Sequence, residues 1–113
     1  KMAVATYKRE DYALTLLRHF GFDKYCNPMH GADNNNILKK EDIVRMCQEE
    51  MGARTEECVL VGDTDHDSKG AVQAEISFIA VTYGFGFKHA GDVGNCPCIG
   101  VARYPLEIAD ILL

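Results

Sequence analysis

The sequence predicts an α/β fold, a Rossmann-like parallel sheet with helices on both faces, and three observations predict it. Short apolar runs alternate with segments of helical period, the pattern of βα units wound right-handed around a mostly parallel sheet. The runs at 58–61 and 77–82 are nearly continuous in apolar residues, as strands buried on both faces are. Polar residues suited to chemistry fall directly after these runs, where the ligands of such sheets lie.

Residues 2–6 are the first apolar run and read as a buried parallel strand. Glu10 and Asp11 then suit a helix N-terminus, Ala13, Leu16, Leu17 and Phe20 follow at i, i+3, i+4 and i+7, and Gly21 stops a helix of about residues 9–20. A weak strand at 28–32 ends in the turn-rich Asp33-Asn34-Asn35-Asn36. The next helix, about 41–51, buries Ile43, Val44, Cys47 and Met51 and stops at Gly52. Residues 58–61 are the clearest strand, closed by Gly62, and 67–74 read as helix. Strands at 77–82 and 98–102 follow, and Pro105 opens a last helix that runs into Ile111-Leu112-Leu113.

No linker or internal repeat divides the 113 residues, which are expected to form one domain with one core. The net charge is −5 and the Lys and Arg residues are scattered, which argues against a nucleic-acid surface. No apolar run approaches the roughly 20 residues that span a bilayer, so no membrane partner is expected. Five cysteines, an odd number, suit a reduced, cytoplasmic protein better than a disulfide framework. An apolar run opens at Met2 with no leader before it, which suggests that the chain begins inside a longer polypeptide.

The strongest motif is Gly62-Asp63-Thr64-Asp65-His66-Asp67, with three alternating carboxylates after a buried strand. Like charges so crowded call for a cation or strong donors, and magnesium is held by one or two carboxylates plus substrate phosphate. The plainer alternative is a turn whose acidic residues cap the next helix. A calcium loop of EF-hand type is excluded, because Ser68 replaces the needed Gly, Ala74 replaces the closing Glu, and a strand leads in. Thr6, with Lys8 two residues on, can donate to a phosphoryl oxygen, although Thr at a strand end is commonplace. Lys39-Lys40 precede a helix whose dipole disfavours them, which makes sense if one faces an anion.

Taken in order, Thr6, Lys40 and Gly62-Asp63-x-x-x-Asp67 resemble the second, third and fourth motifs of the haloacid dehalogenase superfamily. Thr6-x-Lys8, the stretch from Leu17 to Tyr25 and the turn Tyr83-Gly84-Phe85-Gly86 are similar to its phosphoglycolate-phosphatase-like branch. The resemblance covers nearly the whole chain. It implies a magnesium-dependent phosphomonoester hydrolase that acts through an aspartyl-phosphate. Thr6, Lys8 and Lys40 would bind the phosphoryl group of a small phosphorylated metabolite. Lys40, Thr6 and Asp67 would serve catalysis, and Asp63 and Asp67 the magnesium. Lys40 is preferred to Lys39 because it gives the better helix register.

The family's Asp-x-Asp motif, which supplies nucleophile and acid/base, has no match here, nor is there a cap domain. The resemblance therefore implies an incomplete sheet whose first, central strand comes from a missing N-terminal segment or a partner chain, and an isolated chain without activity. A non-catalytic phosphate- or metal-binding domain of the same fold is the alternative. A response-regulator receiver is disfavoured, since its aspartates come from separate strands. Cys96-Pro97-Cys98, with His89 upstream, lacks the second ligand pair of a closed zinc site. His19 and His30 are expected to be structural, and the Gly84-Phe85-Gly86 turn either lets backbone approach a ligand or is a plain turn.

Overall fold

Helical and apolar segments alternate as the sequence predicts, and the strands they form divide into two parallel sheets of two and three strands. The computed structural model describes all residues, Lys1–Leu113, and resolves them into two compact units, Lys1–Arg54 and Thr55–Leu113. No change of composition marks the junction.

In the first unit, β1 (Val4–Arg9) runs without a loop into α1 (Glu10–His19), and β2 (Met29–Ala32) lies parallel to β1. Val4 pairs with Met29 and Ala5 with His30; the register then slips before Arg9 meets Ala32. The strand thus ends three residues beyond its apolar run, because the Arg9–Ala32 pairing carries the ladder through the exposed Tyr7 and Lys8. On α2 (Lys40–Met51), Ile43, Val44 and Cys47 are buried as their spacing predicts, while Met51 is only half-buried. The Cys47 thiol donates to the Val4 carbonyl at 3.4 Å, which ties this helix to β1. Gly21 and Gly52 take left-handed φ of 79° and 66° just past α1 and α2, the positions where sequence placed the stops.

The apolar stripe of α1 is less buried than its period suggests. Ala13 is 3% exposed, but Leu16 and Phe20 are 48% and 68% exposed. Two short strands offer little apolar surface, and only the first turns of a ten-residue helix find cover on them.

The second unit contains β3 (Val59–Gly62), α3 (Asp65–Ala74), β4 (Ser77–Val81), a single turn α4 (Ala90–Val93), β5 (Gly100–Ala102) and α5 (Pro105–Leu112). Its strands lie in the order β3-β4-β5, all parallel. Successive side chains on a strand face opposite ways, so the central β4 serves two cores at once. Phe78 and Ala80 pack with Ala71 of α3, Phe87 and Val93. Ile79 and Val81 pack with Ala102 and with Ile108 and Ile111 of α5. Burial on both faces is why this strand is an unbroken apolar run. α3 begins two residues before the apolar pattern does, because Thr64 caps it and Asp65 starts its first turn.

All five cysteines are free thiols. No helix is long and apolar enough to cross a membrane.

Candidate functional site

The predicted site residues divide between the units: Thr6, Lys8 and Lys40 lie in the first, Asp63 and Asp67 in the second. Each group is described within its own unit.

Regular pairing of β1 with β2 breaks after Ala5, so Thr6 is the first residue of the irregular stretch. Its hydroxyl oxygen accepts the Lys8 N–H at 3.2 Å. Lys40 is the first residue of α2 and is half-buried, and its ammonium donates to the Ala5 carbonyl at 2.7 Å. The lysine that opens the helix is therefore brought to the residue beside Thr6, whereas Lys39 is exposed at the N-cap. Asp42 accepts the Lys39 N–H at 2.9 Å, which offsets the mismatch between two lysines and a helix N-terminus. Lys8 is exposed.

The three aspartates after β3 are engaged differently, and the side chains of Asp63 and Asp67 lie within hydrogen-bond reach of each other. Asp63 Oδ2 accepts two backbone N–H groups, from Phe85 at 2.8 Å and Gly86 at 3.2 Å, and the Asp63 carbonyl accepts a third from Phe87 at 2.7 Å. Partial burial alone would push the Asp63 carboxyl up, but the amides of Phe85 and Gly86 outweigh it and hold the pKa below the usual carboxylate range. Asp65 is exposed and sits 3.6 Å from Lys69. Asp67 Oδ2 accepts from the N–H of Asp63 and from the N–H and hydroxyl of Thr64, at 3.1, 3.3 and 3.0 Å. Thr64 in turn accepts the Asp67 N–H at 3.2 Å, closing a reciprocal cap. The like-charge crowding read from sequence is thus relieved by backbone donors and Lys69. The plainer reading, acidic residues capping a helix, describes Asp67, while Asp63 is the carboxylate that the fold holds ionised.

The turn after β4 is what sequence reasoning left undecided, and Gly-Phe-Gly was its signal. A Cβ at Gly84 would fall on the Asp63 side chain, and one at Gly86 on the Asp63 carbonyl and the Thr64 methyl. Side-chain-free residues are required for the turn to approach this closely. Lys88 donates to the Gly84 carbonyl at 2.9 Å and steadies the turn, and the Phe85 ring on it is 97% exposed.

No three His, Cys, Asp or Glu side chains are grouped to enclose a metal ion. An ionised Asp63 fits magnesium nonetheless, since that ion uses one or two carboxylates and fills its shell with water and phosphate. A closed zinc site at Cys96 and Cys98 finds no such grouping either, and Cys98 is exposed. His30 proves more engaged than its structural label implied: its Nδ1 lies 2.9 Å from Glu10 and its Nε2 2.7 Å from Glu50.

A family model described as haloacid dehalogenase-like hydrolase matches residues 1–81. A 5′-nucleotidase of Pseudomonas aeruginosa is 34% identical over 84 residues, covering 74% of this chain and 38% of the relative. A phosphoglycolate phosphatase of Pectobacterium atrosepticum is 28% identical over 112 residues, covering 98% of this chain and 46% of its own. Among solved structures, protein tyrosine kinase A of Mycobacterium tuberculosis superposes with a TM-score of 0.77 at 27% identity, covering 99% of this chain and 52% of that one. The chain therefore spans between 38% and 52% of the length of these proteins.

Proposed function

The chain belongs to the haloacid dehalogenase-like hydrolase family, and from that membership we propose that it serves a magnesium-dependent phosphatase acting on small phosphomonoesters. The observation that carries the reading is that the family match, residues 1–81, encloses Thr6, Lys40, Asp63 and Asp67 in the order of the family's motifs. Thr6 donates a hydrogen bond to the phosphoryl group, Lys40 neutralises charge on it, and Lys8 adds positive charge nearby. Asp63 binds magnesium, and Asp67 fixes the loop that carries it. The ion, when bound, withdraws charge from the phosphoryl oxygens.

The nucleophile is an aspartate outside these 113 residues. Its carboxylate oxygen attacks phosphorus, the phosphorus–oxygen bond to the substrate breaks, and water then releases phosphate from the aspartyl-phosphate. The strand that carries it is supplied by an N-terminal segment or a partner chain.

The test compares the 113-residue chain with a polypeptide that joins it to an Asp-x-Asp strand, using a panel of phosphomonoesters and following phosphate release. The chain alone is expected to turn over nothing. The longer polypeptide is expected to need magnesium and to lose on the order of a hundredfold or more in kcat with Lys40→Met or Asp63→Asn. Turnover by the chain alone would refute the external nucleophile. Unchanged kcat in both variants would refute the site. A second reading rests on the kinase among the matched structures: the phosphoryl group would pass to a protein hydroxyl rather than to water, and phosphotyrosine formation without phosphate release would favour it.

A further inference from the structure

We infer that Phe85 is a specificity-determining residue, and that the phosphomonoesters handled beside it carry a planar aromatic group that stacks on its ring. The inference rests on the proposed function, because it takes the Asp63 loop as the place where phosphate is handled. The Phe85 ring is 97% exposed, yet the residue that bears it is firmly held. Its own N–H donates to Asp63 Oδ2 at 2.8 Å, so the ring stands on the residue that touches the carboxylate. Phe87, two residues on, is buried in the core and donates its N–H to the Asp63 carbonyl at 2.7 Å. Gly84 and Gly86, on either side of the ring, press so closely on the Asp63 loop that neither could carry a Cβ. An aromatic side chain on an anchored turn offers a large flat contact, and only two χ angles remain to be fixed when a ligand covers it.

A lone exposed ring needs no explanation, but the placement of this one does. Every exposed aromatic side chain of the second unit, Tyr83, Phe85 and Tyr104, follows the C-terminal end of β4 or β5, while Phe78 and Phe87 are buried. The Thr82 N–H donates to the Ala102 carbonyl at 3.0 Å, which holds those two strand ends side by side. That edge of a parallel sheet is where ligands lie, and it is the edge that carries Asp63 after β3. Lys88 donates to the Gly84 carbonyl at 2.9 Å, so a positive charge shares the turn with the ring. A flat apolar face beside a cation suits an aromatic group joined to an anion, which is what an aromatic phosphomonoester is. A saturated group of the same size could cover the ring but could not stack on it.

The experiment compares benzyl phosphate with cyclohexylmethyl phosphate, which are similar in size and release the same kind of primary alcohol but differ in planarity. It uses the longer polypeptide that carries the Asp-x-Asp strand. The ratio of kcat/KM for the benzyl ester to that for the cyclohexylmethyl ester is expected to fall about twofold to tenfold with Phe85→Leu, the span of one aromatic pair. Phe85→Tyr, which keeps the ring, is expected to keep the ratio. Phe20→Leu removes an exposed ring of the other unit and is expected to leave the ratio unchanged. The same polypeptide, with Mg2+ present, is titrated with the non-hydrolysable benzylphosphonate and followed by NMR, where the Phe85 ring protons are expected to shift upfield beneath the added ring. Ring protons that benzylphosphonate leaves unmoved overturn the inference. So does an unchanged ratio in Phe85→Leu, and an equal loss with both esters would give the ring to a protein surface instead. Failure to hydrolyse either ester, with the ring protons still shifted by benzylphosphonate, refutes the proposed function and leaves the recognition of aromatic phosphates standing.

Discussion

His30 offers a test that needs no ligand. Its ring lies between two carboxylates, Glu10 at the start of α1 and Glu50 near the end of α2, at 2.9 and 2.7 Å. A neutral imidazole donates from only one nitrogen, so the imidazolium alone satisfies both contacts. Partial burial works against the charged form, but the hydrogen bonds and charges of Glu10 and Glu50 prevail and raise the His30 pKa above its ordinary 6.5. The neighbouring Cys47 thiol, pushed up to about 11 chiefly by burial, stays neutral through the relevant range. A raised histidine pKa means that stability is fully present below the unfolded value, near 6.5, and is lost as pH rises through the folded one. A hydrogen bond to a charged group contributes about 1.5–3 kcal/mol when shielded. With side chains 42% and 53% exposed on Glu10 and Glu50, solvent cuts the combined stabilisation to about 1–2 kcal/mol. His30→Gln keeps one donor and cannot titrate. Urea unfolding between about pH 6 and pH 9 should find the variant less stable by that amount at the acid end, and the two proteins converging at the alkaline end. A difference that stays constant with pH, or grows as pH rises, would refute the reasoning.

Two further outcomes concern the second unit. Phe78, 2% exposed in the β4 core, should cost about 3–5 kcal/mol when replaced by Ala, a large share of a small domain's stability; a calorimetric Tm that scarcely moves would contradict the packing described. Thr64→Ala should destabilise by about 1 kcal/mol by removing the α3 cap, whereas Thr64→Ser, which keeps the hydroxyl, should restore most of it. Equal urea midpoints for the two variants would show that the hydroxyl contributes nothing.

How much of this was legible in the sequence depends on how far apart the interacting residues lie. β4 was readable because a strand buried on both faces writes its environment into consecutive residues, here Phe78 to Val81. The cap at Thr64 is local too, with its partner three residues on, yet three neighbouring aspartates hid it by suggesting one shared cation. The α1 stripe shows the opposite failure: its period is correct, but period states which residues share a face and not whether anything covers that face. The His30 bridge, with each carboxylate 20 residues away, leaves no periodic trace and could be read only from coordinates.

The Asp63 contact lies between these extremes, and it shows what a glycine-rich turn can reveal. Its donors come from residues 22 and 23 positions later, too far for any local rule. The turn nevertheless carries a mark, because a backbone that must approach a side chain closely cannot carry Cβ atoms there. Gly84 and Gly86 are that mark, and both would collide with Asp63 or its backbone if substituted. A plain reversal of the chain would need neither omission at these two positions. Their pairing with an ionised carboxylate at the end of β3 therefore ties the turn to Asp63, whichever ligand the intact protein binds.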